Sequence, residues 1–365
     1  MPLNSYITLG TSGLRVSPFA LGTMTFGDDW GWGSSVSDAE AILARYLELG
    51  GNFVDTANLY TDGHAEKIIG DFVAKGGVRR DHLVLATKFF YNLYPGDPNG
   101  GGASRKAIIE QCEQSLRRLQ TDYIDLYWLH TWDRFTPIEE TMRTLDDLVS
   151  AGKIRCIGFS DTPAWKVAQA QTIAHFRRWS PIVAVQLQYS LRARTVEGEL
   201  IPMAQELGLA VTPFAPLDNG VLTGKYRHQN AETAEKSRGD IREDIKLLTE
   251  KDYELLDTLS GIAHELETTS AAVALAWVQG RSGVTSTIIG ARTLKQLNEN
   301  LAALDLQLSP AHVAALDKLS EPTLDFPSQI ITTFAPSGSH AGATVNGVPS
   351  ANMLPTLLNN EKERY

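Results

Sequence analysis

The sequence predicts an α/β protein, a (β/α)₈ TIM barrel with an N-terminal β-hairpin and a C-terminal extension. Short apolar segments typical of buried strands alternate with amphipathic helical segments, and the pair recurs about every thirty residues. Gly50, Gly76, Gly152 and Gly208 each follow a helical segment, where a left-handed residue commonly ends a helix. A doubly wound open sheet is the competing architecture, but no Gly-rich fingerprint follows the first strand.

Eight strands and the helices between them can be placed in order along the chain. The predicted strands are 19–24, 53–57, 83–88, 124–130, 154–160, 184–189, 209–215 and 285–290. The predicted helices are 38–49, 65–74, 106–119, 138–149, 164–174, 200–207 and 294–304. Parallel strands joined by crossover helices are covered on both faces, and eight such units close naturally into a barrel.

Three segments lie outside the repeat. Residues 7–16 indicate two short strands around a turn at Ser12 and Gly13, a hairpin that we expect to plug the bottom of the barrel. Residues 217–250 form a polar connection too long to be ordinary, which indicates a functional or mobile segment. The tail after Leu319 has weak periodicity and is expected to be a specificity flap or disordered.

We expect one domain over 1–365, with a barrel core of about 17–305 and a C-terminal helix and tail over 309–365.

Composition excludes several classes of function. The formal net charge is −10 with acids and bases interspersed, which argues against nucleic acid as a partner. Apolar runs stay short of the roughly 18 residues that span a bilayer, and the N-terminus has no signal-peptide pattern, so a cytoplasmic location without membrane contact is expected. Cys112 and Cys156 are expected to be buried thiols in a reducing compartment. A homo-oligomer is possible, but the sequence does not decide the oligomeric state.

Polar residues collect where the predicted strands end. In a barrel of this kind chemistry concentrates at the C-terminal ends of the strands. Asp55 and Tyr60 follow the second strand, and Lys88 and His130 end the third and fourth. The later strands deliver Ser160, Asp161, Gln186 and Phe214. Each of these residues taken alone is more simply explained as a helix cap or as a residue with a hydrogen bond in the core. Three ionisable side chains on one rim of the barrel instead indicate an ion pair or a functional site. One His and one Asp are a poor metal site.

These residue types fit the protonation of an oxygen. A lysine ammonium near a phenol lowers the tyrosine pKa from about 10, which brings proton donation closer to neutral pH. Asp55 would compensate Lys88, and His130 would hydrogen-bond the substrate oxygen. That chemistry completes carbonyl reduction once a cofactor delivers hydride. The 288–293 segment offers backbone N–H groups and Arg292 to a phosphate, although an exposed arginine at a helix start is an equally ordinary interpretation.

The motifs that hold these residues resemble the aldo-keto reductases, in particular the bacterial and fungal reductases and the channel β-subunit branch. They are 50–57 through Tyr60, 86–88, 125–127 leading to His130, 158–160 and 290–300, and the likeness extends from Leu9 to about Leu319. The resemblance implies NAD(P)H-dependent, reversible reduction of an aldehyde or ketone to an alcohol, without a metal. The family's catalytic tetrad carries over onto Asp55, Tyr60 as acid, Lys88 and His130.

The resemblance also implies a set of cofactor contacts. Around the nicotinamide these are Thr23, Asp55, Ser160, Asp161 and Gln186, with Phe214 stacked on the ring. The pyrophosphate is expected at Ala215, Leu217, Gly220 and Lys225, and the adenosine end at Arg238, Gly290, Arg292, Gln296 and Asn300. Asp161 stands where many members have Asn, and Phe214 where many have Tyr or Trp. The cationic Arg238 and Arg292 favour NADPH over NADH.

Two other functions remain open at this level. Channel-associated β subunits share the barrel and bind NADPH but act as regulatory partners or redox sensors; they commonly have Asn at the imidazole position, so His130 favours an enzyme. A lyase or isomerase with a Schiff base on Lys88 would leave the 290–300 segment unexplained. Small aldehydes, sugars and polyketide-like ketones are all open as substrates. The aromatic residues expected at the substrate pocket are Trp30, Trp32, Tyr91, Tyr94 and Trp132.

Overall fold

The computed structural model describes residues 1–76, 78–226 and 248–352. Eight parallel strands form one sheet, in which strands consecutive along the chain are neighbours and the last strand pairs with the first. The strands of the sheet are β3 (Phe19–Gly22), β4 (Phe53–Asp55), β5 (Val84–Phe89), β6 (Ile124–Leu129), β7 (Ile154–Ser160), β8 (Ile182–Gln188), β9 (Ala210–Phe214) and β10 (Thr287–Gly290); an N-terminal hairpin has β1 (Ile7–Thr8) and β2 (Arg15–Val16). A parallel bridge from Val211 to Val284, just before β10, closes the barrel, as predicted.

Helices cover the outside of the barrel. They are α1 (Val36–Glu48), α2 (His64–Ala74), α3 (Arg105–Leu119), α4 (Ile138–Ser150), α5 (Ala164–Arg177), α6 (Leu200–Glu206), α7 (Glu250–Glu265), α8 (Ser270–Gln279), α9 (Leu294–Leu301) and α10 (Pro310–Leu319). The predicted helices end within three residues of these bounds. The sequence pattern predicted no element over 251–284, where α7 and α8 lie. Most of α8 is apolar and buried, so it has no polar face to mark a helical period.

Side chains of the strands alternate between the helices and the barrel interior. Phe53, Ala86 and Trp128 belong to the interior cluster, whereas the intervening Val54 and Leu85 pack toward the helices. Successive side chains of a strand point to opposite faces, so a residue two positions beyond an interior residue also points inward. This alternation directs the polar side chains at the strand ends into the C-terminal mouth of the barrel.

The N-terminal hairpin closes the opposite end of the barrel, as predicted. Strands β1 and β2 pair antiparallel, and the fully buried Leu9 and Val16 pack in the same interior cluster as the strand residues. Gly10 has φ +57°, and a Cβ there would lie 2.2 Å from the carbonyl oxygen of Val183. Only glycine fits this close approach without a backbone shift.

An ionic cluster ties α10 to the barrel. Arg194 is only 7% exposed and donates to Glu197 through two guanidinium nitrogens at 2.8 and 3.0 Å. Asp317 on α10 accepts from Arg281 at 2.9 and 3.0 Å and from Trp277 at 3.0 Å. The cluster joins segments distant in sequence and supplies each buried cation with a carboxylate.

The tail beyond α10 packs on the loop that follows β8. It contains α11 (Ser328–Thr333), α12 (Ala335–His340) and a hairpin of β11 (Thr344–Val345) and β12 (Val348–Pro349). Ser328 Oγ donates to the carbonyl of Gly198 at 2.9 Å.

Among the helices of the described ranges, none has the length and apolar composition that a bilayer crossing requires.

Replacement of Asp317 by Asn is expected to lower the free energy of unfolding by about 1–3 kcal/mol, because Arg281 and the buried Arg194 lose a shared counter-charge. Urea titration followed by circular dichroism measures this. The matched control is Asp81→Asn, whose pair with Arg79 is largely exposed and contributes about 0.5 kcal/mol or less. Equal effects of the two substitutions would contradict the assignment.

Candidate active site

A cavity of about 630 Å³ opens at the C-terminal ends of the strands. Its size is in the range of cofactor and substrate sites. It brings together most of the residues predicted from the sequence. Those that line it are Asp55, Tyr60, Tyr91, His130, Ser160, Asp161, Gln186, Phe214, Ala215, Leu217, Gly220, Lys225, Gly290, Arg292, Gln296 and Asn300, together with Trp32.

The other predicted residues lie elsewhere. Lys88 is fully buried beneath the cavity, and Thr23 donates from its hydroxyl to the carbonyl of Asp55 at 3.0 Å. Trp30 and Trp132 do not line the cavity, although Trp30 contacts the lining Trp32 with ring centroids 5.7 Å apart. Tyr94 does not line it either, and Arg238 lies outside the described residues.

A buried ion pair lies at the base of the cavity. Lys88 Nζ is 2.5 Å from Asp55 Oδ2, and the two side chains are 0% and 2% exposed. Nζ also donates to the carbonyl of Thr56 at 2.9 Å, and Gln186 donates to the second oxygen of Asp55 at 3.0 Å. Burial lowers the pKa of Lys88, but the Asp55 carboxylate and then Tyr60 outweigh it, so the pKa is raised. Lys88 is therefore a fixed cation.

The third donor contact of Lys88 reaches the phenol of Tyr60 at 3.1 Å. Tyr60 opens a short 3₁₀ turn in which Thr61 and Asp62 have left-handed backbone angles, with φ 45° and 55°. Thr61 holds this turn: its hydroxyl donates to the carbonyl of Phe26 at 3.1 Å and accepts from the amide of Ala65 at 3.0 Å. The strained turn fixes where the phenol points.

His130 faces the same cavity as a neutral imidazole. Burial first, and the nearby Lys88 charge second, hold its pKa well below the usual range. Its ring is edge-on to Tyr91 at 4.9 Å and to Tyr60 at 6.1 Å between centroids. Nδ1 is buried and has no hydrogen-bond partner in the described part of the chain. A neutral ring of this kind can donate one hydrogen bond into the cavity.

Beyond Phe214 the wall of the cavity is a turn of left-handed residues. Ala215, Asp218, Asn219 and Gly220 have φ of 50°, 46°, 54° and 100°. A Cβ added at Gly220 would have no atom within 4 Å, so the backbone is open to a ligand. Arg192 secures the turn by pairing with Asp218 and, at 2.7 Å, with Asp252 of α7. Such turns point backbone N–H groups at anions.

The opposite wall is the start of α9. Thr293 caps the helix by accepting from the amide of Gln296, and Gln296 Oε1 accepts from the amide of Arg292 at 2.8 Å. Asn300 donates to the carbonyl of Gly290 at 3.0 Å. The guanidinium of Arg292 has no carboxylate partner among the described residues and is thus available to an anion.

Asp161 borders the cavity beyond β7. Its φ is 40°, a left-handed conformation that Asp and Asn tolerate better than most residues. Burial raises the pKa of this carboxyl to about 6, against the opposing effect of the Lys88 charge. The charge of the Asp161 side chain therefore changes in the weakly acidic range rather than in strong acid.

Several lining residues were not identified from the sequence. They include Thr25, Gln188, Asn219, Thr223, Tyr226, Thr269, Ala271, Leu275 and Glu299. Thr269 caps α8 by accepting from the amide of Ala272, so the Thr269-Ser270 pair before an apolar run was a usable start signal for this helix. In the described ranges no group of three or more His, Cys, Asp or Glu residues is placed to hold a metal ion.

Comparison with known proteins agrees with this geometry. The model of the aldo/keto reductase family matches residues 18–321. The uncharacterized oxidoreductase YrpG of Bacillus subtilis is 40% identical over 312 residues, which are 83% of this chain and 92% of that protein. Norsolorinic acid reductase stcV of Emericella nidulans is 36% identical, with 87% and 81% covered. Aryl-alcohol dehydrogenase [NADP(+)] of Phanerodontia chrysosporium is 34% identical, with 84% and 83% covered.

The chain belongs to the aldo/keto reductase family, as its sequence motifs predicted. It is an NAD(P)H-dependent oxidoreductase, and carbonyl reduction is the chemistry supported at the level of the family.

Asp161→Asn is expected to gain stability relative to the wild type as pH rises from 4 to 8. The pKa of Asp161 is raised from 3.8 to about 6, so its contribution to stability is full below about 3.8 and is lost as pH rises through about 6. Asn has no such loss and tolerates the left-handed backbone. Thermal midpoints of both proteins across this pH range measure the difference.

Asp133→Asn provides a control of opposite sign. Burial raises the pKa of Asp133, but hydrogen bonds from the Ala103 amide and from Thr136 and Phe135 outweigh it and lower the pKa overall. Its stability contribution is present above the ordinary pKa and lost toward acid. This variant should fall behind the wild type as pH rises toward about 3.8 and should keep a nearly constant deficit from pH 4 to 8. A gain over pH 4 to 8 in both variants would refute the interpretation.

Proposed function

We propose that the protein catalyses the reversible, NADPH-dependent reduction of an aryl aldehyde or ketone to the alcohol. The observation that carries the proposal is the contact of one buried ammonium, Lys88, with both Asp55 and the phenol of Tyr60 at the end of a large cavity. The aromatic part of the substrate rests on two further observations. Trp32 and Tyr91 line the cavity, and relatives carry the names aryl-alcohol dehydrogenase and norsolorinic acid reductase.

Tyr60 is the proposed general acid. As negative charge develops on the carbonyl oxygen, the phenol gives up its proton and becomes a phenolate. The Lys88 ammonium, 3.1 Å away, stabilises that phenolate, and Asp55 keeps the ammonium in place without a rearrangement. Stabilisation prepared in advance in a site of low polarity is an effective way to lower such a barrier.

His130 is the proposed second donor to the substrate oxygen. Its depressed pKa keeps the ring neutral at physiological pH, so it donates a hydrogen bond without competing with Tyr60 as a proton source. With Nδ1 buried, Nε2 is the nitrogen assigned to the cavity. Two donors on one oxygen fix the orientation of the carbonyl.

We assign a nicotinamide dinucleotide to the rest of the cavity. The left-handed turn through Gly220 and the start of α9 offer backbone N–H groups and Arg292 to phosphates, whereas Phe214 offers an aromatic face. Bound NADPH supplies the hydride for the carbonyl carbon. Ser160, Asp161 and Gln186 are assigned to the nicotinamide end, and Gln296 and Asn300 to the adenosine end, with Ala215, Leu217 and Lys225 between them.

The two rival functions are less well supported. A Schiff base needs a neutral amine, but Lys88 is held as an ammonium by Asp55. A purely regulatory role would not require a neutral imidazole beside the phenol, and His130 occupies that position.

Tyr60→Phe is expected to retain cofactor binding and to lower kcat by about 10²-fold or more, because the proton donor is lost. Fluorescence quenching measures the cofactor Kd, and NADPH oxidation with aryl aldehydes measures turnover. Tyr91→Phe is the matched control: it also removes one phenol oxygen from the cavity wall, but that oxygen contacts Thr131 rather than Lys88. Wild-type rates in Tyr60→Phe would refute the role of acid.

Arg292→Met is expected to weaken NADPH binding about tenfold and NADH binding little, because its guanidinium, which no carboxylate of the described residues pairs with, is assigned to the 2′-phosphate. Dissociation constants for both cofactors measure the selectivity. Lys251→Met on α7 removes the same charge from an exposed position outside the cavity and should leave both constants unchanged. Equal weakening of NADPH and NADH by Arg292→Met would exclude the assignment.

A further inference from the structure

Two tryptophans and a lysine form a small surface outside the cavity, here called the indole shelf: Trp132, Trp165 and Lys166. The two indole rings meet edge to face with centroids 5.3 Å apart. The Lys166 ammonium lies 4.5 Å from the Trp165 ring centroid and 5.2 Å from that of Trp132. Gln169 accepts from the same ammonium at 2.7 Å, which fixes its position. The shelf is thus an ordered aromatic corner with one cation.

The shelf adjoins the mouth of the cavity. Trp132 follows His130 by two residues, a separation of at most about 7 Å along the backbone. Trp165 is the second residue of α5, five residues after Ser160 at the end of the neighbouring strand β7. Thr131 precedes Trp132 in the chain, and its hydroxyl contacts the hydroxyl of the cavity-lining Tyr91 at 3.3 Å. The loop that carries Trp132 therefore touches the cavity wall.

The exposure of Trp165 is unusual for its position. It is 57% exposed although it is packed and ordered by two neighbours, and Phe135 in the same loop as Trp132 is 98% exposed. Large apolar side chains left in water beside a ligand cavity commonly mark a binding surface. Because the cavity already holds Tyr91 and Trp32, a compound that extends past them meets a second aromatic face rather than solvent.

We propose that the indole shelf is a second substrate subsite that takes the distal aromatic ring of an extended aryl carbonyl compound. The inference rests on the proposed function, since the proximal carbonyl is placed at Tyr60 and His130. The free indole face stacks on the distal ring, and the Lys166 ammonium favours an anionic substituent on that ring. The shelf therefore selects two-ring over one-ring substrates and contributes nothing to the chemical step.

Binding of unreactive analogues tests the subsite without turnover. Calorimetry compares benzamide, biphenyl-4-carboxamide and 4′-carboxybiphenyl-4-carboxamide on the wild type with NADP⁺ present and absent. We expect the two-ring amides to bind the wild type more tightly than benzamide does. Trp165→Ala should weaken binding of the two-ring amides about three- to tenfold and leave that of benzamide unchanged. Lys166→Met should remove only the additional affinity of the carboxylated biphenyl amide over the uncharged biphenyl amide. Phe176→Ala, a 79% exposed ring near the other end of α5, is the matched control and should change none of these constants.

Kinetics separate the subsite from the reductase. With benzaldehyde and biphenyl-4-carbaldehyde, Trp165→Ala should raise KM for the two-ring aldehyde alone and leave both kcat values unchanged. The subsite would be overturned if Trp165→Ala kept the lower KM for the two-ring aldehyde. It would also be overturned if the substitution raised KM equally for the one-ring and two-ring aldehydes. If no aldehyde is reduced while the amides keep their Trp165-dependent preference, the proposed reaction fails but the shelf stands as a ligand site.

Discussion

The buried pair of Lys88 and Asp55 is the interaction on which the site depends. Removing two charges from water is costly, and the cost is offset only when the geometry is good and the remaining polar atoms are satisfied. Here Gln186, the Thr56 carbonyl and the Tyr60 phenol supply those contacts. The pair and its partners come from three strands or their loops, β4, β5 and β8, so the pair requires the closed barrel that places them on one inward face.

The backbone around the cavity is strained at several places. Left-handed residues other than glycine occur in the Tyr60 turn, at Asp161, and at Ala215, Asp218 and Asn219, and each costs of order 1–3 kcal/mol. Such conformations persist only where neighbours enforce them, as the Thr61 hydroxyl and the Arg192 pairs do. The rigid barrel therefore carries a rim whose shape is set by side-chain contacts rather than by backbone preference.

Much of this arrangement could be predicted because it follows periodicity. The period of the strands and helices locates where each parallel strand ends, so the amino-acid order alone was enough to predict Asp55, Lys88 and His130 on one rim. Contacts between distant segments leave no such trace: the Arg194 and Asp317 cluster and the Arg192 pairs were not anticipated. Helix α8 was missed because burial on nearly all sides removes its amphipathic period. Trp132 was assigned to the pocket by type alone, whereas its loop directs it to the shelf outside.

Burial lowers the pKa of both basic side chains of the site, Lys88 and His130, yet Lys88 is charged and His130 is neutral. Desolvation lowers the pKa of Lys88 and of His130, but only Lys88 has a carboxylate within contact distance. Lys88 therefore stays a cation, whereas His130, which starts from an ordinary pKa of about 6.5 and has no such partner, stays neutral although it is the less completely buried of the two. Asp55 thus secures a fixed positive centre for the phenol oxygen next to an uncharged donor. An oxygen bound between them meets growing stabilisation as it becomes negative, which is the condition that carbonyl reduction imposes.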